Sequence, residues 1–170
     1  AHGEEEGRRR GRRKKKNLGW GRAQGERRRK KKEKEEEEEK KEILRQYRGL
    51  LRVLKPKLKP GDKELVRIAF EMAAEAHKTM RRKSGEPYIL HPLAVAKICV
   101  EEIGLGVRST ICALLHDTVE DTDVSLEDIQ REFGNEIAKI VNGLTKISTV
   151  MDTNTTQQAE NFKKILLTLT

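Results

Sequence analysis

Nearly all apolar residues of this chain lie after residue 41, where they recur at steps of three and four residues. This spacing places them on one face of an α-helix, whereas a half-buried strand would alternate polar and apolar residues. No segment of the chain alternates in that way, so we predict an all-α domain without internal repeats. The predicted helices cover residues 43–54, 62–76, 92–103, 107–119, 125–133, 136–144 and 157–170.

Local signals mark several helix starts and one buried helix. Asp62 is a candidate N-cap, and Ser125 with Asp128 has the pattern of a capping box. Pro92 suits the first position of a helix, where its missing N–H has no partner to lose, and this puts His91 at the mouth of that helix. The sequence ICALL in residues 107–119 predicts a helix that is apolar most of the way round, hence buried.

Residues 1–41 differ in composition, with 18 Lys/Arg and 10 Glu, and they hold most of the net charge of +9. Blocks such as RRRGRRKKK and KEEEEEKK bury too little apolar surface to offset the loss of chain entropy. We therefore predict a charged arm at residues 1–41, disordered or helical only near its end, and a folded domain at residues 42–170. A solvated arm and a nucleic-acid- or ribosome-binding tail both fit this composition, although Trp20 alone does not make a stacking surface.

The cysteines and the hydropathy indicate the compartment. Cys99 and Cys112 lie in apolar helical patterns, without the spacing of a disulfide framework or a thiolate metal site, which fits a reducing cytoplasm. No apolar run reaches about 18 residues, and no apolar stretch follows the basic N-terminus as in a signal peptide. We predict a soluble cytoplasmic protein without membrane contact. Because the chain starts at Ala1 and stops within an apolar helical pattern, we interpret it as part of a longer protein.

The residues most suggestive of chemistry are His91, the pair His116-Asp117 and the pair Glu120-Asp121. On a helix, residues four apart share a side, so the two pairs are expected to face one way at the end of the buried helix. An isolated carboxylate beside an apolar core is destabilised by several kcal/mol, roughly, unless it is paired or bound to a cation. A divalent metal would provide that partner.

The candidate ligands define a class of metal. Imidazole nitrogen and carboxylate oxygen, without thiolate, suit Mn²⁺, Fe²⁺, Co²⁺ or Zn²⁺. His91, His116 and Asp117 give three ligands and leave positions open for a fourth ligand, water and a substrate oxygen, as a catalytic metal requires. The residues alone leave open the alternative that His116 and Asp117 form an ordinary hydrogen-bonded pair near a helix end.

Four blocks of the sequence together resemble one known family. RRKSGEPYILHP, ALLHDTVEDT, FGNEIAKIVNGLTKI and AENFKKILL occur in this order between residues 81 and 167. They are similar to successive blocks of the hydrolase domain of the RelA/SpoT enzymes of guanosine tetraphosphate metabolism. The resemblance covers residues 42–170 and is far more specific than a His-Asp pair. It implies the helical fold of the HD-domain phosphohydrolases, truncated at the C-terminus.

The resemblance implies roles for particular residues of the metal site. In that family the metal, usually Mn²⁺, is held by the histidine of the HP block and by the His-Asp pair, which here are His91, His116 and Asp117. The Glu-Asp pair, here Glu120 and Asp121, is associated with activating or orienting the hydrolytic water. These two residues are therefore the expected catalytic residues.

The resemblance also implies a substrate. The basic block, here Arg82, Lys83 and Ser84, contributes to binding the guanosine nucleotide. The family's reaction removes the 3′-pyrophosphate from guanosine tetra- and pentaphosphate, giving GDP or GTP and pyrophosphate. Considered without the resemblance, RRKSG is an ordinary solvated basic turn. A phosphohydrolase acting on another nucleotide, and a non-catalytic nucleotide- or ribosome-binding module, are the alternative functions.

The chain departs from the family pattern in two respects. The family's fourth metal ligand is an aspartate in a later LADRLHN-type block, and this chain ends before such a block. We therefore expect the chain by itself to be weakly active or inactive. The synthetase region of long family members is also absent, so whether the parent enzyme is bifunctional stays open, as does its oligomeric state. No motif includes His77, which we interpret as a surface or core-edge histidine.

Overall fold

A computed structural model of the chain describes residues 2–148, with the side chains of residues 19–145. These residues form helices without a β-strand; one isolated bridge joins Arg81 and Pro87. The prediction of an all-α fold is confirmed, while the helix expected at residues 157–170 lies outside the described part. The α-helices are α1 (His2–Leu54), α2 (Asp62–Ala76), α3 (Leu90–Glu101), α4 (Val107–Leu115), α5 (Thr118–Asp121), α6 (Leu126–Phe133) and α7 (Asn135–Ser148), with a 3₁₀ turn at Lys55–Lys57.

The chain divides into two compact units between Glu42 and Ile43. The first unit is the N-terminal part of α1, for which the sequence predicted disorder or helix only near the end, and the structure instead has helix from His2. The reason is that Glu, Lys and Arg favour helix even where nothing is buried, and opposite charges four residues apart add stabilisation. Such pairs join Arg29 to Glu33, Lys31 to Glu35, Lys32 to Glu36 and Lys41 to Glu37.

Removal of residues 1–38 is expected to leave the melting temperature of the rest of the chain unchanged. Every side chain from residue 19 to residue 38 is exposed, so this described part of the removed segment contributes no buried side chain. Thermal unfolding followed by circular dichroism tests this, and a fall of several degrees would show that the arm packs. Removal of residues 1–50 is the matched comparison. It deletes the buried Tyr47 and Leu50 and is expected to lower the melting temperature.

The core of the second unit is built around α4. This helix packs against α2, α3 and α7, and all six residues from Thr110 to Leu115 are buried, which confirms the prediction for the ICALL segment. The end of α1 contributes Leu50 and Leu54 to the same core, and α6 packs on α7. The apolar face predicted for α7 is buried as well, at Ile137, Ile140, Val141 and Leu144.

The two cysteines lie on the core sides of α3 and α4. Cys99 and Cys112 are both free thiols with no exposed surface. Burial raises the pKa of each thiol to about 12, so neither is a thiolate near neutral pH. Within the part of the chain that the structure describes, no helix combines the length and apolar character needed to cross a bilayer.

Helix starts agree with the sequence in one case and are shifted in two. Ser125 and Asp128 form the predicted capping box, with backbone-to-side-chain distances of 3.2 and 3.0 Å. Gly61, at φ +87°, occupies the N-cap of α2 instead of Asp62, whose carboxylate accepts from the backbone N–H of Lys59 at 2.8 Å. Helix α3 begins at Leu90, two residues earlier than predicted, so His91 lies in its first turn.

The helix predicted over residues 107–119 ends early, and the break positions the candidate site. Helix α4 stops at Leu115 and α5 starts at Thr118, which leaves His116 and Asp117 in a short turn. Side chains compete with the helix for backbone carbonyls here: the Thr118 hydroxyl donates to the Leu115 carbonyl at 2.7 Å, and the His116 ring contacts the Ala113 carbonyl. A helix-like turn still connects Asp117 to Asp121, through a backbone hydrogen bond of 3.0 Å.

Candidate metal centre

Helices α3 and α4 bring three potential metal ligands together. His91 comes from the first turn of α3, and His116 and Asp117 come from the turn after α4. One ligand atom from each of the three residues lies within 4.8 Å of the others, and all three residues are buried. The packing of α3 against α4 therefore joins two sequence motifs that are 25 residues apart.

The hydrogen bonds of His116 fit a metal ligand. Its Nδ1 contacts the Ala113 carbonyl, which only accepts, so Nδ1 carries the proton and Nε2 has a free electron pair in the neutral ring. Nε2 lies 2.9 Å from Oδ2 of Asp117. If the ring is neutral, a lone pair of Nε2 faces the Asp117 carboxylate, and a proton or a metal cation between them stabilises this arrangement. A backbone carbonyl behind the ring is also the usual support for a ligating histidine.

The pKa shifts of His116 and Asp117 also indicate a place that attracts positive charge. Burial alone raises the pKa of the Asp117 carboxyl, but His116, together with the Tyr88 hydrogen bond, lowers that pKa to about 2. Burial alone lowers the pKa of His116, yet the neighbouring Asp117 raises it above the ordinary value. The Asp117 site thus holds a negative charge in a buried place and attracts positive charge to it.

The basic loop lies next to this cluster. The Arg82 guanidinium contacts Nδ1 of His91. The loop turns tightly, with Gly85 N–H donating to the Arg82 carbonyl at 2.8 Å and Gly85 at φ +91°. Lys83 and Ser84 are exposed at its tip. The structure therefore brings Arg82 into contact with the cluster, but it shows no contact of Lys83 or Ser84 with the cluster.

Glu120 and Asp121 form the last turn of α5 and are exposed. Neither belongs to the group of close ligand atoms found among the described residues. Although Asp121 is exposed as a residue, partial burial of its carboxyl raises its pKa, and the charges of Asp117 and Glu120 raise it further. The effect of the Asp117 charge on this pKa shows that Asp121 lies within electrostatic range of the cluster.

Sequence reasoning missed two aromatic residues beside the cluster. The Tyr88 hydroxyl donates to Oδ2 of Asp117 at 2.6 Å, and its ring stacks on His77 with centroids 4.7 Å apart. His77 is only 2% exposed, so its interpretation as a surface or core-edge residue was wrong. Tyr88 stands three positions before His91 in the sequence, which places it in the same block. That proximity was the one signal that could have identified it.

Comparisons with known proteins agree with the sequence motifs. The sequence model of the HD domain matches residues 69–170. A guanosine-3′,5′-bis(diphosphate) 3′-pyrophosphohydrolase of Aquifex aeolicus is 45% identical over 108 residues, covering 64% of this chain and 15% of the relative. A probable enzyme of the same name from Synechocystis is 45% identical over 106 residues, covering 62% and 14%. A probable GTP pyrophosphokinase of Mycobacterium leprae is 43% identical over 102 residues, covering 60% and 13%.

A solved structure, described as a metazoan ortholog of SpoT that hydrolyzes ppGpp, aligns with 64% of this chain and 67% of its own, at 25% identity and a TM-score of 0.49. The chain spans about 15% of the length of the curated relatives it matches. The family model covers more than half of the chain, including all three clustered residues. The chain therefore belongs to the HD-domain family, within the RelA/SpoT group that its sequence blocks resemble.

Proposed function

We propose that this chain supplies metal ligands and a substrate-binding loop to an enzyme that removes the 3′-pyrophosphate from guanosine tetra- and pentaphosphate. The observation that carries the proposal is the buried cluster of His91, His116 and Asp117, with ligand atoms within 4.8 Å of one another. Relatives named as guanosine-3′,5′-bis(diphosphate) 3′-pyrophosphohydrolases support the choice of substrate. Other relatives are named GTP pyrophosphokinases, which fits a bifunctional parent enzyme.

The three clustered residues fit a divalent metal, and we propose Mn²⁺. Two imidazoles and one carboxylate, with no thiolate, suit Mn²⁺ and its neighbours among the divalent transition metals. The facing electron pairs of His116 Nε2 and Asp117 Oδ2 are an arrangement that a cation stabilises. Three protein ligands leave room for a fourth ligand and for water, so the cluster suits a catalytic metal better than a structural one.

The residues around the cluster have separate roles in the proposed reaction. When bound, a divalent metal lowers the pKa of water from about 15.7 toward about 7 and polarises a phosphate oxygen. Asp121, with its raised pKa, and Glu120 accept the proton of the attacking water or orient it. Arg82, which contacts His91, is placed to pair with a phosphate near the cluster. Lys83 and Ser84 add a cation and a hydroxyl at the tip of the same loop.

A nucleotide panel tests this function. The chain, and a version lengthened through the LADRLHN-type block of a relative, are incubated with Mn²⁺ and guanosine tetraphosphate, guanosine pentaphosphate, GTP, GDP or ATP. We expect pyrophosphate release from the first two nucleotides alone, and a much faster reaction in the lengthened version. Equal turnover of nucleotides without a 3′-pyrophosphate would favour a phosphohydrolase of different specificity. Tight binding of guanosine tetraphosphate without turnover by the lengthened version would favour a nucleotide-sensing module.

A further inference from the structure

Tyr88 has no role in the chemistry described so far, although it touches the cluster. Its hydroxyl donates to Oδ2 of Asp117 at 2.6 Å, and this is the same oxygen that lies 2.9 Å from His116 Nε2. An O–H···O⁻ hydrogen bond of this length to an ionised acceptor belongs to the strong class. A tyrosine hydroxyl is ordinarily protonated near neutral pH, so it is available as the donor in this hydrogen bond.

The ring of Tyr88 is fixed by the residues around it. It stacks on His77 at 4.7 Å with an interplanar angle of 27°, and it meets His91 edge-on at 5.9 Å. His77 is itself held in place, because its Nδ1 lies 2.9 Å from the Ala73 carbonyl of α2 and the residue is only 2% exposed. Helix α2 thus supports the Tyr88 ring, which in turn holds the hydroxyl.

His77 is an unusual residue for filling a hydrophobic core. Its Nε2 is buried and has no hydrogen-bond partner among the described residues, so an apolar ring would fill this place without leaving a polar atom unsatisfied. What the imidazole provides here is a flat ring of small size that is anchored at its other nitrogen. This favours a function in holding Tyr88 over a function in filling the core.

Asp117 needs such a support because of where it lies. It sits in the short break between α4 and α5, and the terminal torsion of an aspartate side chain has a broad, roughly two-fold preference. Without a fixed donor, the carboxylate can rotate away from His116. Groups that orient a metal ligand in this way typically change metal affinity by about 10- to 100-fold when they are removed.

We propose that Tyr88 is a positioning residue of the metal centre, which orients the Asp117 carboxylate through its hydroxyl and is itself held in place by stacking on His77. The proposal rests on the metal site of the proposed function. Neither Tyr88 nor His77 contacts the substrate. In this arrangement His77 affects metal binding only through the Tyr88 hydroxyl.

The first test is Tyr88→Phe in the full chain, which keeps the ring and removes the hydrogen bond. We expect Mn²⁺ affinity, measured by calorimetry, to fall about 10- to 100-fold, and the electron paramagnetic resonance spectrum of the bound Mn²⁺ to change. Tyr47→Phe is the matched control. Tyr47 is the only other tyrosine of the chain, and its ring stacks on Phe70 at 4.1 Å, so this change is expected to leave affinity and spectrum unaltered.

The second test is a double-mutant cycle of His77→Ala with Tyr88→Phe. We expect His77→Ala to weaken Mn²⁺ binding in the unaltered chain and to have little further effect in the Tyr88→Phe background, because the hydroxyl that it supports is already absent. His77→Phe, which keeps a flat ring, is expected to retain most of the affinity. Circular dichroism of the metal-free variants shows whether each has folded. Additive effects of the two substitutions would overturn the role assigned to His77.

Mn²⁺ binding by the unaltered and the substituted proteins distinguishes a wrong metal centre from a wrong role for Tyr88. If neither the unaltered chain nor its lengthened version binds Mn²⁺, the metal centre is wrong and the role of Tyr88 is wrong with it. If the unaltered chain binds Mn²⁺ and Tyr88→Phe has the same affinity and the same spectrum, the metal centre stands and the positioning role is overturned.

Discussion

Replacement of His116 or Asp117 by alanine is expected to remove metal binding and turnover together. Each residue contributes one of the three clustered ligand atoms, and both are buried, so no solvent-exposed group takes their place. Loss of a direct ligand should exceed the effect of losing an orienting group, so Mn²⁺ affinity should fall by more than about 100-fold. Turnover of guanosine tetraphosphate should fall to the background rate.

The measurement separates a metal ligand from a residue that only stabilises the fold. Breaking a buried charged pair typically destabilises a protein by about 3–5 kcal/mol, so alanine variants can lose metal because they unfold. Asp117→Asn keeps the shape of the side chain and removes its charge, and it should lose the metal while the chain stays folded. Glu132→Ala, at an exposed carboxylate of α6, is the control and should bind normally. Retention of one equivalent of Mn²⁺ at unchanged affinity in the variants would show that the metal assignment is wrong.

Glu120→Gln and Asp121→Asn are expected to have the opposite pattern, with metal binding retained and turnover reduced. Both residues lie one turn beyond the cluster and are exposed, so neither is expected among the ligands. A general base typically contributes about 10²- to 10⁴-fold to the rate, and loss of the base should lower kcat by that factor. We expect Asp121→Asn to have the larger effect, because the Asp121 carboxyl lies within electrostatic range of Asp117 in the cluster.

These two variants are best compared in the lengthened version of the chain, where the reaction is expected to be measurable. Calorimetry with Mn²⁺ and steady-state kinetics on the same preparations give the two quantities. A variant that loses metal and turnover to the same extent contains a substituted ligand, and Glu120 or Asp121 would then complete the coordination. Unchanged kcat in both variants would show that the water is activated elsewhere.

The cluster could be predicted because its members lie in short motifs at recognisable places. Pro92 indicated a helix start beside His91, and the apolar ICALL segment predicted a buried helix leading to His116. Only the packing of α3 against α4 joins the two motifs, and the sequence pattern does not contain that information by itself. The resemblance to a known family supplied it.

Tyr88 and His77 could not be predicted in the same way. Their contact is a stacking of two rings from different elements, and neither aromatic spacing nor charge marks such a pair in a sequence. The break after Leu115 was missed because it depends on side-chain hydrogen bonds, such as that of Thr118, which compete with an apolar helical pattern. The helical arm was missed because the prediction weighed burial and neglected the intrinsic preference of Glu, Lys and Arg for helix.

The burial of the two thiols determines when they can be oxidised or alkylated. Cys99 lies on the helix that carries His91, and Cys112 lies on the helix that leads to His116. An oxidant or alkylating reagent reaches these sulfurs only when the helix packing around them opens, because both side chains are fully buried. An opening that separates α3 from α4 also takes His91 away from His116 and Asp117. Chemical modification of the cysteines therefore reports how often the core that supports the metal site opens, although neither sulfur belongs to the cluster.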